Sequence, residues 1–282
     1  MYIGSHVSTR QGYLEAAKFA MKLGGRAFQY FPKNPRSLIL KSFDRRDAEA
    51  CAVFCMEHDL PSIAHAPYAA NLAAEDDDKQ ELVIRALINC LDIADACGSV
   101  GLVVHFGTYR GSDPLQGYIR IVQTLNEILS QWSGETLILL ENQAGEHGRM
   151  GMTFEELTQI RNLSAAPERI GFCLDTCHTF ASGLWNGSNW AEVVAKGEAT
   201  GYWEHLKAVH MNDSVYPTRS YKDRHANIGH GEIGLEAFRE LLATPFLAKL
   251  PLVLETHVTP TIHHADEIRL LHSLVGETGK QK

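Results

Sequence analysis

Apolar residues along the chain come in short runs that each end in polar side chains: YIGSHV (2–7), AFQYF (27–31), SIAHAPY (62–68) and GLVVHFG (101–107). The rhythm continues with TLILLEN (136–142), GFCLDTCH (171–178), LKAVHMND (206–213) and LVLETH (252–257). These eight runs read as buried strands. Between them lie segments with apolar residues three to four apart, at 11–23, 46–58, 78–98, 114–132, 153–163, 234–243 and 262–274, the spacing of amphipathic helices. In 78–98 the spacing assigns Leu82, Ala86, Asn89, Ile93 and Ala96 to one face, and Gly98 supplies the stop. Strand and helix alternate with no Pro/Gly/Ser linker or charge run to divide the chain. The pattern predicts an α/β fold, one (β/α)8 TIM barrel over residues 1–282. An open doubly wound sheet would more often carry a Gly-rich phosphate turn after its first strand, and none is present.

Composition narrows the functional classes. With 282 residues, 45% of them hydrophobic, the chain can bury a sizeable core. A net charge of −8 argues against gripping polyanions with the whole surface, so a nucleic-acid partner must be held by a local patch. The opening residues lack a basic segment followed by a long apolar core, and no segment approaches the ~18 apolar residues of a membrane span. The expectation is a soluble, cytoplasmic protein without a membrane partner. Cys51, Cys55, Cys90, Cys97, Cys173 and Cys177 form no C-x-x-C pair and read as reduced, mostly buried thiols. The acidic run AAEDDDKQ (73–80) reads as a helix N-terminus, where carboxylates meet the helix dipole favourably.

The chemistry stands at the carboxyl ends of the predicted strands: His65, His105, Glu141, Asp175 with His178, His210 and Glu255, joined by Asp223 and His225 from the loop KDRHANIGHGEIG. In a barrel these ends converge on the face where barrel enzymes place their sites. A lone histidine ending an apolar strand is usually a hydrogen-bonded rim residue. A carboxylate ending a run such as LILLE is costly to bury without a cation. As a set, the nine point to a polynuclear metal site. Four carboxylates and five imidazoles suit zinc or manganese better than magnesium or calcium. Nine ligands exceed the needs of one ion, so two or three fit, with a carboxylate bridging a pair. Asp175 and His178 can both face the site where the strand turns into its loop, whereas Cys173 belongs to the buried run and Cys177 reads as a small packed thiol. His6, ending the first strand, is placed behind the ligands or toward substrate. Such a cluster suits hydrolysis at phosphorus. The chain offers no G-x-S-x-G elbow and no P-loop, hence no nucleotide cofactor.

Along nearly its whole length the sequence resembles the endonuclease IV family of apurinic/apyrimidinic endonucleases, barrels of the xylose-isomerase-like type. The resemblance is carried by YIGSHVS (2–8), FPKNPR (31–36), HAPYAANL (65–72), VVHFG (103–107), LLENQAG (139–145), GFCLDTCHTFASG (171–183), VHMNDS (209–214), DRHANIGHGEIG (223–234) and LVLET (252–256). It implies three zinc ions: one held by His65, His105 and Glu141, a second by Glu141, Asp175, His210 and Glu255, a third by His178, Asp223 and His225, with manganese an alternative occupant. It further implies that Glu141, Glu255 and His105 serve the reacting atoms, with attack on the phosphodiester 5′ to an abasic site leaving a 3′-hydroxyl and a 5′-deoxyribose phosphate. Removal of 3′ blocking groups is a further expectation. The partner so implied is double-stranded DNA containing an abasic nucleotide, extruded as such chemistry requires, with Lys33, Asn34, Arg36, Tyr68 and Asn71 against it. Arg36 and Tyr68 fall where the family wedges side chains into the gap. Several positions depart from the family: Ala69 and Ala70 stand where larger aliphatic residues are common, HFG replaces the frequent HPG, and Val215 and Tyr216 follow HMNDS where a basic residue is often found. Arg10, Arg110, Arg149, Arg219, Lys222 and Arg224 lie in loops expected on the same face, where they would offset the acidic total. A metal-dependent sugar isomerase or epimerase of the same barrel type is the enzymatic alternative, and a metal-stabilised DNA-binding protein the non-catalytic one. No apolar strip suggests an oligomer, so a monomer is expected.

Overall fold

The structure, a computed structural model, describes residues 1–146 and 148–278; residues 279–282 of the predicted barrel lie outside the described range. Eight parallel strands close into a barrel: β1 (Tyr2–His6), β2 (Ala27–Tyr30), β3 (Ser62–His65), β4 (Gly101–His105), β5 (Leu137–Glu141), β6 (Ile170–Asp175), β7 (Leu206–His210) and β10 (Pro251–Leu254). A two-stranded antiparallel hairpin, β8 (Asp213–Ser214) with β9 (His225–Ala226), stands above β7. The predicted fold class is therefore the one observed. Inside the barrel, Ala27, Ile63, Val103, Leu139, Cys173, Ala208 and Val253 form a fully buried layer, so the lumen is a packed core and not a channel. Gly4 belongs to the closure. A Cβ there would come within 1.7 Å of the Ala27 carbonyl oxygen on the neighbouring strand, which only glycine avoids.

The principal outer helices are α1 (Tyr13–Lys22), α2 (Arg45–Glu57), α3 (Asp77–Ala96), α4 (Pro114–Gln131), α5 (Phe154–Leu163), α9 (Leu235–Leu242) and α10 (His264–Thr278). In α3 the Asp76 side chain accepts from Lys79 N, which gives the acidic run its capping use. Its buried face differs from the predicted one: Leu82 is half exposed, and Val83, Leu87, Cys90, Leu91 and Ala94 join Ala86 and Ile93 inside. Three further helices escape the periodic reading: α6 (Thr176–Ser182), α7 (Trp190–Thr200) and α8 (Tyr202–His205). The run 171–178 is thus a strand only to Asp175. The chain then enters α6 directly instead of a loop, with the Asp175 carboxylate accepting from His178 N at 2.7 Å. No helix among the described residues is long and apolar enough to cross a membrane.

Candidate metal centre

His65, His105, Glu141, Asp175 and His210 are the last residues of their strands, and Glu255 directly follows β10, so barrel closure brings them to one end. His178 arrives one turn into α6, and Asp223 and His225 from the arm that ends in β9. The nine sequence-predicted ligand candidates fall into three groups whose donor atoms all lie within 4.8 Å of one another: His65, His105 and Glu141; Glu141, Asp175, His210 and Glu255; His178, Asp223 and His225. Glu141 is shared between two of them. Its Oε2 lies 3.6 Å from His65 Nε2 and 3.4 Å from His105 Nε2, and its Oε1 3.1 Å from His210 Nδ1. Glu255 Oε2 is 3.1 Å from the same His210 Nδ1. Asp223 spans the third group, with Oδ2 at 3.1 Å from His178 Nε2 and Oδ1 at 3.2 Å from His225 Nε2. Cys177 joins Asp175 and His225 in a fourth possible grouping, but burial pushes its thiol up to about 12, so it stays protonated at neutral pH.

The arrangement fits divalent metal on two independent counts. Three imidazoles are each anchored through one nitrogen, leaving the other turned into the cluster: His65 Nδ1 donates to Ala66 O at 2.7 Å, His178 Nδ1 to Asn142 O at 2.8 Å, and His210 Nε2 to Gln29 Oε1 at 2.7 Å. That is how metal-binding histidines are held. Moreover, Glu141 Oε2, His178 Nε2 and His225 Nε2 are buried without a hydrogen bond of acceptable geometry among the described residues, an arrangement native structures rarely leave uncompensated.

Electrostatics agree. Burial alone would raise the Glu141 pKa, but the His210 and His105 imidazoles outweigh it and hold the carboxyl well below its usual range. Glu255, opposed in the same way by burial, is held at about 2 by His210 and His65. Burial would lower His178 and His210, yet Asp175 and Asp223 lift the first, and Cys173, Glu255 and Glu141 the second, well above the ordinary histidine value; His225, lowered by burial in the same way, still reaches about 8 through Asp223. Four carboxylates drawn together demand positive charge, and without metal His178, His210 and His225 supply it as protons.

Around this centre the sequence-predicted DNA contacts divide. Arg36, Asn34 and Tyr68 are exposed on the rim, and Tyr68 N donates to Pro35 O at 2.8 Å, tying their two loops together. Lys33 and Asn71 are placed otherwise than free surface contacts. Lys33 is buried, its ammonium donating to the carbonyls of Leu38 and Ile39, and Asn71 spends its amide on Thr108 and Ala73. Both brace the loops that present the others. Arg149 lies over the Tyr221 ring at 3.5 Å, and Arg224 pairs with Glu146. Beside the centre, a cleft of about 620 Å³ is lined by His6, Ser8, Arg10, Lys33, Asn34 and Lys41. Sequence reasoning passed over three buried amides. Asn212 donates to Asp175 Oδ2 and Glu255 Oε2, Asn142 meets Asp175 N and Thr179, and Gln29 contacts His6, His210 and Glu255. Their only sequence signal is position, since each lies within two residues of a strand end.

A model of the xylose isomerase-like TIM barrel family matches residues 17–274. "Probable endonuclease 4" of Symbiobacterium thermophilum is 41% identical over 275 residues, covering 98% of this chain and all of that protein. The chain belongs to the endonuclease IV family. The "Probable endonuclease 4" of Aquifex aeolicus is 34% identical over 95% of this chain and 94% of its own length. The crystal structure of endonuclease IV from Thermus thermophilus superposes with a TM-score of 0.86 at 30% identity, covering 98% of this chain and all of that one. Endonuclease IV membership makes the chain an enzyme, a hydrolase of the apurinic/apyrimidinic endonuclease type, and places it in DNA repair. A D-tagatose 3-epimerase-like protein superposes with a TM-score of 0.71 at 20% identity, a likeness of fold alone.

Proposed function

We propose that the chain hydrolyses the phosphodiester on the 5′ side of abasic sites in double-stranded DNA, leaving a 3′-hydroxyl and a 5′-deoxyribose phosphate, and that it uses three zinc ions. The carrying observation is the set of nine strand-end and loop ligands grouped around Glu141, with buried ligand atoms that make no hydrogen bond among the described residues. Zinc bound there would supply Lewis acidity toward phosphoryl oxygens and hydroxide near neutral pH. His65 and His105 would hold one ion with Glu141; Asp175, His210 and Glu255 a second with the same carboxylate; His178, Asp223 and His225 the third. Manganese at one or more of these positions is compatible with the same nitrogen and oxygen donors.

The chain's own residues do the rest. Glu141, Glu255 and His105 face the reacting phosphate, and because Glu141 and Glu255 are held well below the usual carboxylate range they are poor proton acceptors and serve to fix the ligand field. Arg36 and Tyr68 on the rim enter the gap left by an extruded abasic nucleotide, while Asn34 and the exposed Arg10 of the adjoining cleft take the backbone phosphates. The same open site accepts a 3′ terminus carrying a blocking fragment, whose removal needs the same bond broken. The epimerase-like alternative needs only a carboxylate-rich subset and would leave His65, His105, His178, Asp223 and His225 without work. Zinc content per chain, measured together with incision of a duplex carrying one abasic site against its intact twin, tests the reading. Three equivalents and cleavage confined to the abasic duplex are expected; one equivalent, or cleavage of neither, would overturn it.

A further inference from the structure

Gln29 is a buried amide one residue before the end of β2, with charged and titratable neighbours on three sides. Its Nε2 lies 2.6 Å from Glu255 Oε1 and 3.2 Å from His6 Nδ1, and its Oε1 lies 2.7 Å from His210 Nε2. An amide's oxygen and nitrogen can be exchanged by a flip, so their placement must be argued from the partners. Here the partners decide it. A carboxylate oxygen only accepts, so the atom 2.6 Å from Glu255 Oε1 must be the NH2 group, and the oxygen therefore faces His210. An amide oxygen only accepts as well, so His210 must carry a proton on Nε2. The remaining N–H of the amide points at His6 Nδ1, which must then be the bare nitrogen of that ring.

We infer that Gln29 is a positioning residue that selects the Nε2–H tautomer of two histidines at once. It leaves His210 Nδ1 unprotonated for metal, and it leaves His6 with an Nε2–H donor for the cleft that His6 lines. The inference rests on the proposed function for its substrate half: a phosphate oxygen of the DNA backbone is the acceptor that a neutral imidazole N–H beside the exposed Arg10 would suit. The Gln29 amide thus links the second metal group to the substrate cleft through hydrogen bonds that the one side chain fully satisfies.

The test is a long-range proton–nitrogen correlation spectrum of zinc-loaded, 15N-histidine protein near neutral pH, with the His6 signals assigned from their loss in His6→Phe. His6 and His210 with their protons on Nε2 are the expected result; His6 protonated on Nδ1 would overturn the inference without touching the incision reaction. Gln29→Met, close in shape but unable to make these bonds, should weaken zinc binding about 10- to 100-fold and release His6 into a tautomer mixture. Zinc affinity within twofold of wild type in that variant would equally overturn it. His6→Phe should keep zinc affinity but lose about 10- to 100-fold in kcat/KM, mostly through KM, the range expected for a hydrogen bond to a charged group, and His6→Gln should recover part of it. Unchanged kcat/KM in His6→Phe would remove the substrate half. A protein showing both tautomers yet cutting no abasic duplex would refute the proposed function and leave the Gln29 assignment supported.

Discussion

Asp213 offers the sharpest test of how the third ligand group is held. Its carboxylate is fully buried and accepts four backbone N–H groups: Oδ1 from Ser214 at 2.8 Å and Ile233 at 2.9 Å, Oδ2 from Gly229 at 3.0 Å and Gly231 at 3.1 Å. These bonds tie the loop after β9 back onto β8, where Ser214 pairs with His225. Asp213→Asn keeps the shape but only one acceptor oxygen, and because the donors are split two and two, neither amide orientation serves more than two of them. At about 1–3 kcal/mol for each stranded buried donor, the cost is about 2–6 kcal/mol before the loop relaxes. Relaxation would loosen the strand that carries His225, so part of the cost should surface as at least tenfold weaker binding of one zinc equivalent. The remainder, roughly 0.6–4.6 kcal/mol after about 1.4 kcal/mol for a tenfold loss of zinc affinity, should lower the zinc-saturated melting temperature by about 1–9 °C, at roughly 2 °C per kcal/mol for a domain of this size. Zinc retention against a graded chelator, alongside calorimetry and with Asp78→Asn as an exposed acidic control, measures both. Retention of every equivalent with affinity within twofold, and a melting temperature within about 1 °C of wild type, would refute the bracing role.

Glu141→Gln should lower abasic-site cleavage more than about 1,000-fold, because the amide keeps only one of the two carboxylate oxygens that face the two ligand groups, and metal charge stabilisation is worth several kcal/mol; turnover within tenfold of wild type would remove the shared-ligand assignment. Cys177→Ser should leave zinc content and kcat nearly unchanged, since the thiol lies 3.7 Å from Arg224 O and a hydroxyl can keep that donor role. Metal-free protein should lose stability as pH rises. His225 sits at about 8 when folded against about 6.5 unfolded, so its ion pair with Asp223 contributes fully below pH 6.5 and is lost as pH passes through 8. Zinc needs neutral imidazoles, so the gap between zinc-loaded and metal-free melting temperatures should widen from about pH 6 to about pH 8.5; a constant or shrinking gap would count against the ligand role of His225.

The barrel was legible because most of its strands are runs of apolar residues that end in, or are followed directly by, a polar one, and closure brings those ends to one face. Glu141 and Glu255 were legible for the same reason, since an ionised carboxylate at the end of a buried strand needs a cation. What resisted reading lacks a period or a charge. The helix after Asp175 is only seven residues long and buries nearly all of them, so it showed no amphipathic alternation. The face of α3 was misplaced because Leu82 is as apolar as its buried neighbours and periodicity cannot tell which of two adjacent stripes a sheet will cover. Lys33 and Asn71 carry the residue types of surface contacts, and only tertiary structure reveals that their polar atoms are spent on loop carbonyls and amides. Gln29 was hidden in AFQYF as one polar residue within a strand, its partners 23 to 226 residues away along the chain.

The most direct measurement is cleavage of a duplex carrying one tetrahydrofuran abasic analogue, before and after prolonged chelation, with the cut ends identified. The analogue cannot undergo β-elimination, so only hydrolysis can sever the strand. Incision leaving a 3′-hydroxyl, lost on chelation and restored by zinc, is the expected result. An intact analogue strand in the presence of fully zinc-loaded protein would contradict the assignment of this centre to hydrolysis at abasic sites.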